Sequence, residues 1–197
     1  MKKIITIGRQ FGSGGREFGR RLAKELGIEY YDKEIVSEIA KHTSLSEEYV
    51  RSVVEKKPHP LFPITTAQSF FVSDSYYLKQ VSEIYAKQTE IIKDLAQKSD
   101  CVIVGRCGDY ILSEFNPFRI FVYAGIESRI KRCRERSGDV SDDKQLKKQI
   151  ERIDKDRSGY YEFYTGRKWG VKENYDLMIN TAGIEIKEVV PHLAKIF

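Results

Sequence analysis

The sequence predicts an α/β fold, a parallel sheet with helices on both faces, from three observations. Short apolar runs rich in β-branched residues alternate with longer amphipathic stretches, the order that feeds parallel strands through crossover helices. The first such run passes at once into a glycine-rich turn and a basic helix, IITIGRQFGSGGREFGRRLAKELG (4–27). The runs CVIVG (101–105) and FRIFVYA (118–124) lack clean polar alternation, as strands buried on both faces should.

Taken in order, KIITIG (3–8) reads as the first strand. In the helix after it, Phe18, Leu22 and Leu26 form an i, i+4, i+8 stripe, Arg20, Arg21 and Lys24 lie off it, and Gly27 is the stop. IEYYD (28–32) is a second short strand. DKEIVSEIAKHT (32–43) is a helix capped by Asp32, with Ile35, Val36 and Ile39 on one face. A helical piece over 46–56 has Glu47 and Glu48 in its first turn, and Pro58, Pro60 and Pro63 then mark a linker or tight corner. Over 66–98, Tyr77, Val81, Ile84, Ile91, Ile92 and Leu95 recur at helical spacing, in one long helix or two shorter ones. RCGDYILSEFNP (106–117) leaves room for a short helix between the two central strands. A basic helix (126–138), a charged and then aromatic segment (141–164), a last strand YDLMIN (175–180) and a closing helix (184–197) complete the order.

At 197 residues, 41% hydrophobic and 12% aromatic, the chain can bury one core, so 1–197 is expected to be a single domain. Lys and Arg number 34 against 29 Asp and Glu, a net charge of +5; this suits a small anionic ligand and argues against nucleic acid as partner. Cys101, Cys107 and Cys133 show no CxxC or His-paired spacing, so they suggest neither a disulfide framework nor a zinc site and read as reduced thiols. With no apolar run of 18 residues and a mean hydropathy of −0.47, no membrane segment is expected and the setting is cytoplasmic. His42, His59 and His192 are scattered and read as ordinary residues.

Three stretches fall at the carboxyl ends of predicted strands, where such sheets bind ligands. The first is the loop 8–15, in which Gly12, Gly14 and Gly15 let the backbone approach an anion at the following helix N-terminus, with Ser13 its only hydroxyl. The pattern GxxxxGK[ST] would put lysine at 15 and a hydroxyl at 16, but this chain has Gly15 and Arg16; Arg16, ahead of Arg20, is the replacement expected for the lost charge. The second is Asp32 and the third Gly105-Arg106. Arg129 and Arg132 in the basic helix add charge, and RIDKDRSGYYEFYTGRKWG (152–170) brings Asp154 and Arg157 together with Tyr160, Tyr161, Tyr164 and Trp169, as a mobile lid or an aromatic packing patch.

ITIGRQFGSGGREFGRRLAKELG, YYDKEI, VIVGRCGDYIL, IFVYAGIESRIKR, IDKDRSGYYEFYTGRKWG and YDLMINT, in that order, resemble the cytidylate kinase-like family, a divergent branch of the P-loop nucleoside monophosphate kinases. The resemblance implies a P-loop kinase three-layer α/β/α fold, a five-stranded parallel sheet, a helical excursion over about 44–98 and a lid over about 137–170. It implies ATP and Mg²⁺ as cofactors and phosphoryl transfer to a nucleoside monophosphate, CMP or a similar small phosphate acceptor, with a homodimer left open. On that pattern Arg16, Arg106, Arg157 and Asp154 are the catalytic candidates. Gly12, Ser13, Gly14, Gly15, Arg16, Arg129 and Arg132 hold the nucleotide, Asp32 and Arg106 the acceptor, and Asp32 reaches the metal through water. Relative to bacterial cytidylate kinases, lysine is replaced by Gly15, an aspartate that contacts the base by Cys107, and SGAxYR by KEIVSE after Asp32. The alternative is a catalytically weak nucleotide-binding regulatory module.

Overall fold

The computed structural model describes residues 2–58, 70–137 and 142–197. His59, Pro60, Pro63 and the first residues of the helix expected over 66–98 lie outside the described residues, as does 138–141 at the start of the expected lid. Among the described residues five strands form one all-parallel sheet in the order β2-β3-β1-β4-β5. They are β1 (Ile4–Arg9), β2 (Glu29–Tyr31), β3 (Cys101–Val104), β4 (Phe118–Tyr123) and β5 (Leu177–Asn180). β1 is central, with Ile5 beside both Val102 and Phe118. The connection leaving β1 runs toward β2 and the connection leaving its neighbour β3 runs the opposite way, to β4, so the loop after β1 opens at the switch point of the sheet.

Helices cover both faces. On one, α1 (Gly15–Leu26) and α8 (Ile186–Leu193) pack Phe18, Leu22, Ile186 and Val190 on Ile5, Ile7, Val102 and Ile120. On the other, α2 (Glu34–Thr43), α3 (Glu47–Val53), α4 (Phe70–Lys98) and α5 (Gly108–Ile111) build a second core with Ile35, Ile39, Val50, Ile84 and Ile92. α6 (Ile126–Ser137) follows β4, and α7 (Asp143–Thr165) crosses the carboxyl edge of the sheet. The 70–98 part of the expected helical run is one helix of 29 residues. The aromatic half of α7 packs on it, with Tyr85 and Tyr164 stacked at 3.7 Å between ring centroids. No described helix is long and apolar enough to cross a membrane.

Asp32 does not cap α2: that helix starts from Lys33 without a side-chain cap. Its buried carboxylate is turned instead to Arg16, with Nε and Oδ2 2.9 Å apart. A charge partner on another element outbids the local N–H.

Candidate functional site

The loop between β1 and α1 is held from behind. Arg129 Nη1 donates to Phe11 O (3.3 Å), Arg132 Nη1 to Gly12 O (3.1 Å) and Thr181 Oγ1 to Ser13 O (2.7 Å). Phe11 N donates to Asp154 Oδ1 (2.7 Å), whose other oxygen meets Arg129, and Ser13 Oγ donates to Gln10 O (2.9 Å). Gly12 and Gly14 are left-handed, at φ 77° and 82°. Three successive carbonyls are thus taken up by donors outside the loop. The first-turn N–H groups of α1 have no acceptor within their helix and carry its positive end. Beside them is a cleft of about 290 Å³ lined by the loop glycines and by charged side chains in which Arg9, Arg16, Arg132, Arg136 and Arg157 outnumber Glu17 and Glu135. Such a cleft suits a polyphosphate.

Beside the cleft lies a cluster of buried guanidiniums. Arg9, Arg106 and Arg157 are 4%, 6% and 9% exposed, and come from β1, the turn after β3 and α7. Glu55, just beyond α3 and itself left-handed at φ 71°, lies among them. Its Oε1 is 2.6 Å from Arg9 Nη2 and its Oε2 3.0 Å from Arg157 Nε. Burial alone would push the Glu55 carboxyl up, but Arg9, Arg157 and Arg106 hold it well below the usual carboxylate range. Burial, then Arg9, draws Arg157 down to about 10, still charged at neutral pH. Arg157 Nη1 also donates to Arg9 O (3.2 Å). Arg106 and Cys107 take φ of 58° and 55°, a strained turn for two non-glycine residues. It aims Arg106 inward, where Nε donates to Asp32 O (3.2 Å) while Gln88 holds the Arg106 carbonyl (3.1 Å). Arg9 Nε, Arg106 Nη1 and Asp32 Oδ1 are buried without a hydrogen-bond partner.

A second cavity, about 30 Å³, lies on the β3 side between Gly8, Gly105, Arg106, Cys107, Asp109, Tyr160, Tyr161, Trp169 and Tyr175. Burial raises the Asp109 carboxyl, which accepts from Tyr161 Oη at 2.6 Å. Arg9 and Arg157 line both cavities.

The predicted residues therefore separate. Gly12, Gly14, Gly15, Arg16, Arg132 and Arg157 line the first cavity, Arg106 the second, and Arg157 both. Asp32 stands by Arg16 and Arg106, whereas Ser13 and Asp154 have their side chains engaged within the loop support. Sequence reasoning missed Arg9 and Glu55. Arg9 ends a buried strand, the same signal that singled out Arg106. Glu55 follows two valines in VVEKKP and carries no signal of its own.

Among the described residues no three His, Cys, Asp or Glu side chains group to hold a metal. The buried, unpartnered Asp32 Oδ1 belongs to the single carboxylate paired with Arg16, which itself lines the cleft. A single carboxylate would leave Mg²⁺ to be held mainly by ligand phosphates and its own water.

The order of the sheet, the glycine loop after its central strand and helices on both faces define the P-loop kinase fold. The profile of the cytidylate kinase-like family matches residues 4–183, and the chain belongs to that family. A crystal structure of an uncharacterized protein from Eubacterium ventriosum ATCC 27560 is similar at 27% identity and a TM-score of 0.71, over 99% of this chain and 98% of that one. Two shikimate kinases share the fold. That of Bacteroides thetaiotaomicron is 13% identical, with a TM-score of 0.58 over 98% of this chain and 97% of that one. That of Acinetobacter baumannii, in complex with shikimate, is 15% identical, with a TM-score of 0.54 over 100% and 92%. No curated protein matches the chain.

Proposed function

We propose that this protein transfers a phosphoryl group from ATP to a nucleoside monophosphate or a similar small phosphate acceptor, CMP being the first to try. The observation that carries this is the convergence of the buried guanidiniums of Arg9, Arg106 and Arg157 at the junction between the cleft over the glycine loop and the small pocket, about 30 Å³, at the end of β3. A phosphoryl group passing between two ligands needs charge at that junction. Positioning and neutralisation do most of the work in this chemistry, and no general base is required.

In this reading the N–H groups of Gly12, Gly14 and Gly15 cradle the ATP phosphates, Ser13 fixes the turn through its N–H and hydroxyl on Gln10 O, and Arg16 and Arg132 add charge at the cleft. Arg129 and Asp154 act as a brace that fixes the loop. Arg106 holds the acceptor phosphate, Asp32 orients the Arg16 and Arg106 side of the site, and Arg157 neutralises charge in transfer. Mg²⁺ would screen the donor phosphates, with Asp32 its water-bridged contact. The segments 44–98 and 137–170 serve as acceptor-side excursion and lid of one domain, and the setting is cytoplasmic.

Gly15 in place of lysine, with the Ser13 hydroxyl committed to Gln10 O, favours a second reading, a nucleotide-binding regulatory module of weak activity. Diphosphate formation from ATP and a panel of monophosphates, run beside calorimetry with a non-hydrolysable ATP analogue, separates the two. Diphosphate formed above background supports transfer. Binding without turnover across the panel supports the module, and no binding removes both.

A further inference from the structure

Positions 9 and 15 compete for one space. A Cβ added to Gly15 would stand 2.5 Å from Arg9 Cβ and 3.1 Å from Arg9 Cγ, closer than packed carbons approach. One of the two positions must therefore be glycine unless the loop shifts. In GxxxxGK[ST] laid on this chain, position 9 is the glycine and position 15 the lysine. Here position 9 is arginine and position 15 is glycine. The missing lysine and the extra arginine are one exchange.

Resting on the phosphoryl-transfer reading, we infer that Arg9 supplies at the donor phosphates the charge a lysine at 15 would supply, and that the Glu55 carboxylate stands where a phosphoryl group binds. The Arg9 stem fills the volume beside Gly15, and its side chain lines the cleft over the loop. Arg9 is buried, yet its Nε is committed to nothing. Its Nη2 already grips an anion: Arg9 and Arg157 take one oxygen each of Glu55, at 2.6 and 3.0 Å. Two guanidiniums placed on a carboxylate fit two oxygens of a phosphoryl group equally well. The other candidate, Arg16, is turned toward Asp32 with its side chain 42% exposed. Glu55 is thus the internal competitor that a phosphate must displace.

The test is calorimetric titration of a non-hydrolysable ATP analogue into the wild type and variants whose folding is checked by circular dichroism. Arg9→Met keeps the packing against Gly15 and loses the guanidinium; its Kd should rise about ten- to a hundredfold. The double variant Arg9→Gly with Gly15→Lys should recover most of the affinity that Arg9→Gly alone loses. Glu55→Gln should bind more tightly, by the inverse of the fraction of time the carboxylate leaves the arginines. Unchanged affinity in Arg9→Met, or a folded double variant no better than Arg9→Gly, overturns the inference. If the double variant does not fold, Glu55→Gln decides, and an unchanged or raised Kd overturns it. A wild type without affinity overturns the phosphoryl-transfer reading as well, whereas wild-type affinity that ignores Arg9 overturns this inference alone.

Discussion

Arg157 is tied to Glu55, to the Arg9 carbonyl and, at 5.7 Å, to the face of Phe11 in the loop. It reaches the junction from α7, so its charge should matter most when phosphate charge is redistributed. Arg157→Ala should lower turnover at saturating ATP by about a hundredfold or more, a larger loss than it causes in affinity for an ATP analogue. Normal turnover, or an effect on affinity alone, would remove it from the transfer step. Glu55 gives a second prediction at this scale. Its folded pKa lies below its ordinary 4.5, so its charge stabilises the fold above about pH 4.5, and that contribution is lost as the pH falls toward the folded value. Asp109, raised by burial, works in the opposite sense, since its protonation relieves a buried charge. Urea melts between pH 7 and pH 3 should lose stability less steeply in Glu55→Gln than in the wild type; equal slopes would mean the arginines do not hold Glu55. Arg157 was legible from its place three residues after Asp154, whereas Glu55 is chosen by three arginines distant in sequence, and no local pattern records that.

The elements were more legible than their ends. The stripes on α1 and α2 follow directly from the spacing of Phe18, Leu22, Ile35 and Ile39, all buried, because a helical face is set by its own residues. The Asp32 cap failed because Arg16 belongs to another element. Gly14 shows the same limit. It was expected to be glycine so that a ligand can approach the backbone, but a Cβ there would stand 2.3 Å from Ile186 Cδ1 of α8. The left-handed φ of 82° already makes any side chain costly. Gly14→Ala should therefore destabilise the fold by about 1–2 kcal/mol from backbone strain and further from the contact with α8. Adding Ile186→Val, which removes Cδ1, should return the contact part and leave the strain. Urea denaturation of the two single variants and the double one measures this, and strictly additive effects would show that the Ile186 contact is not felt.

At the scale of the whole molecule, the alternation of strands and helices announced a parallel sheet, but not which strands flank β1. That order is a tertiary result, and it brings Arg9, Arg106 and Arg157 from three separate elements to one point. Because Arg9 and Arg157 line both cavities, the two ligands should not bind independently. Whichever binds first must move the Glu55 carboxylate off the guanidiniums, and the second then meets arginines already released. The phosphates repel one another, but three buried guanidiniums spread over the junction offset that repulsion. The net coupling should be positive. Titrating a monophosphate acceptor with and without a saturating ATP analogue should lower its Kd by about fivefold or more, and the analogue's Kd should fall by the same factor when the order is reversed. In Glu55→Gln the factor should shrink toward one, because there is no carboxylate left to displace. Independent binding in the wild type, or full coupling kept in Glu55→Gln, would show that the two cavities do not communicate through this cluster.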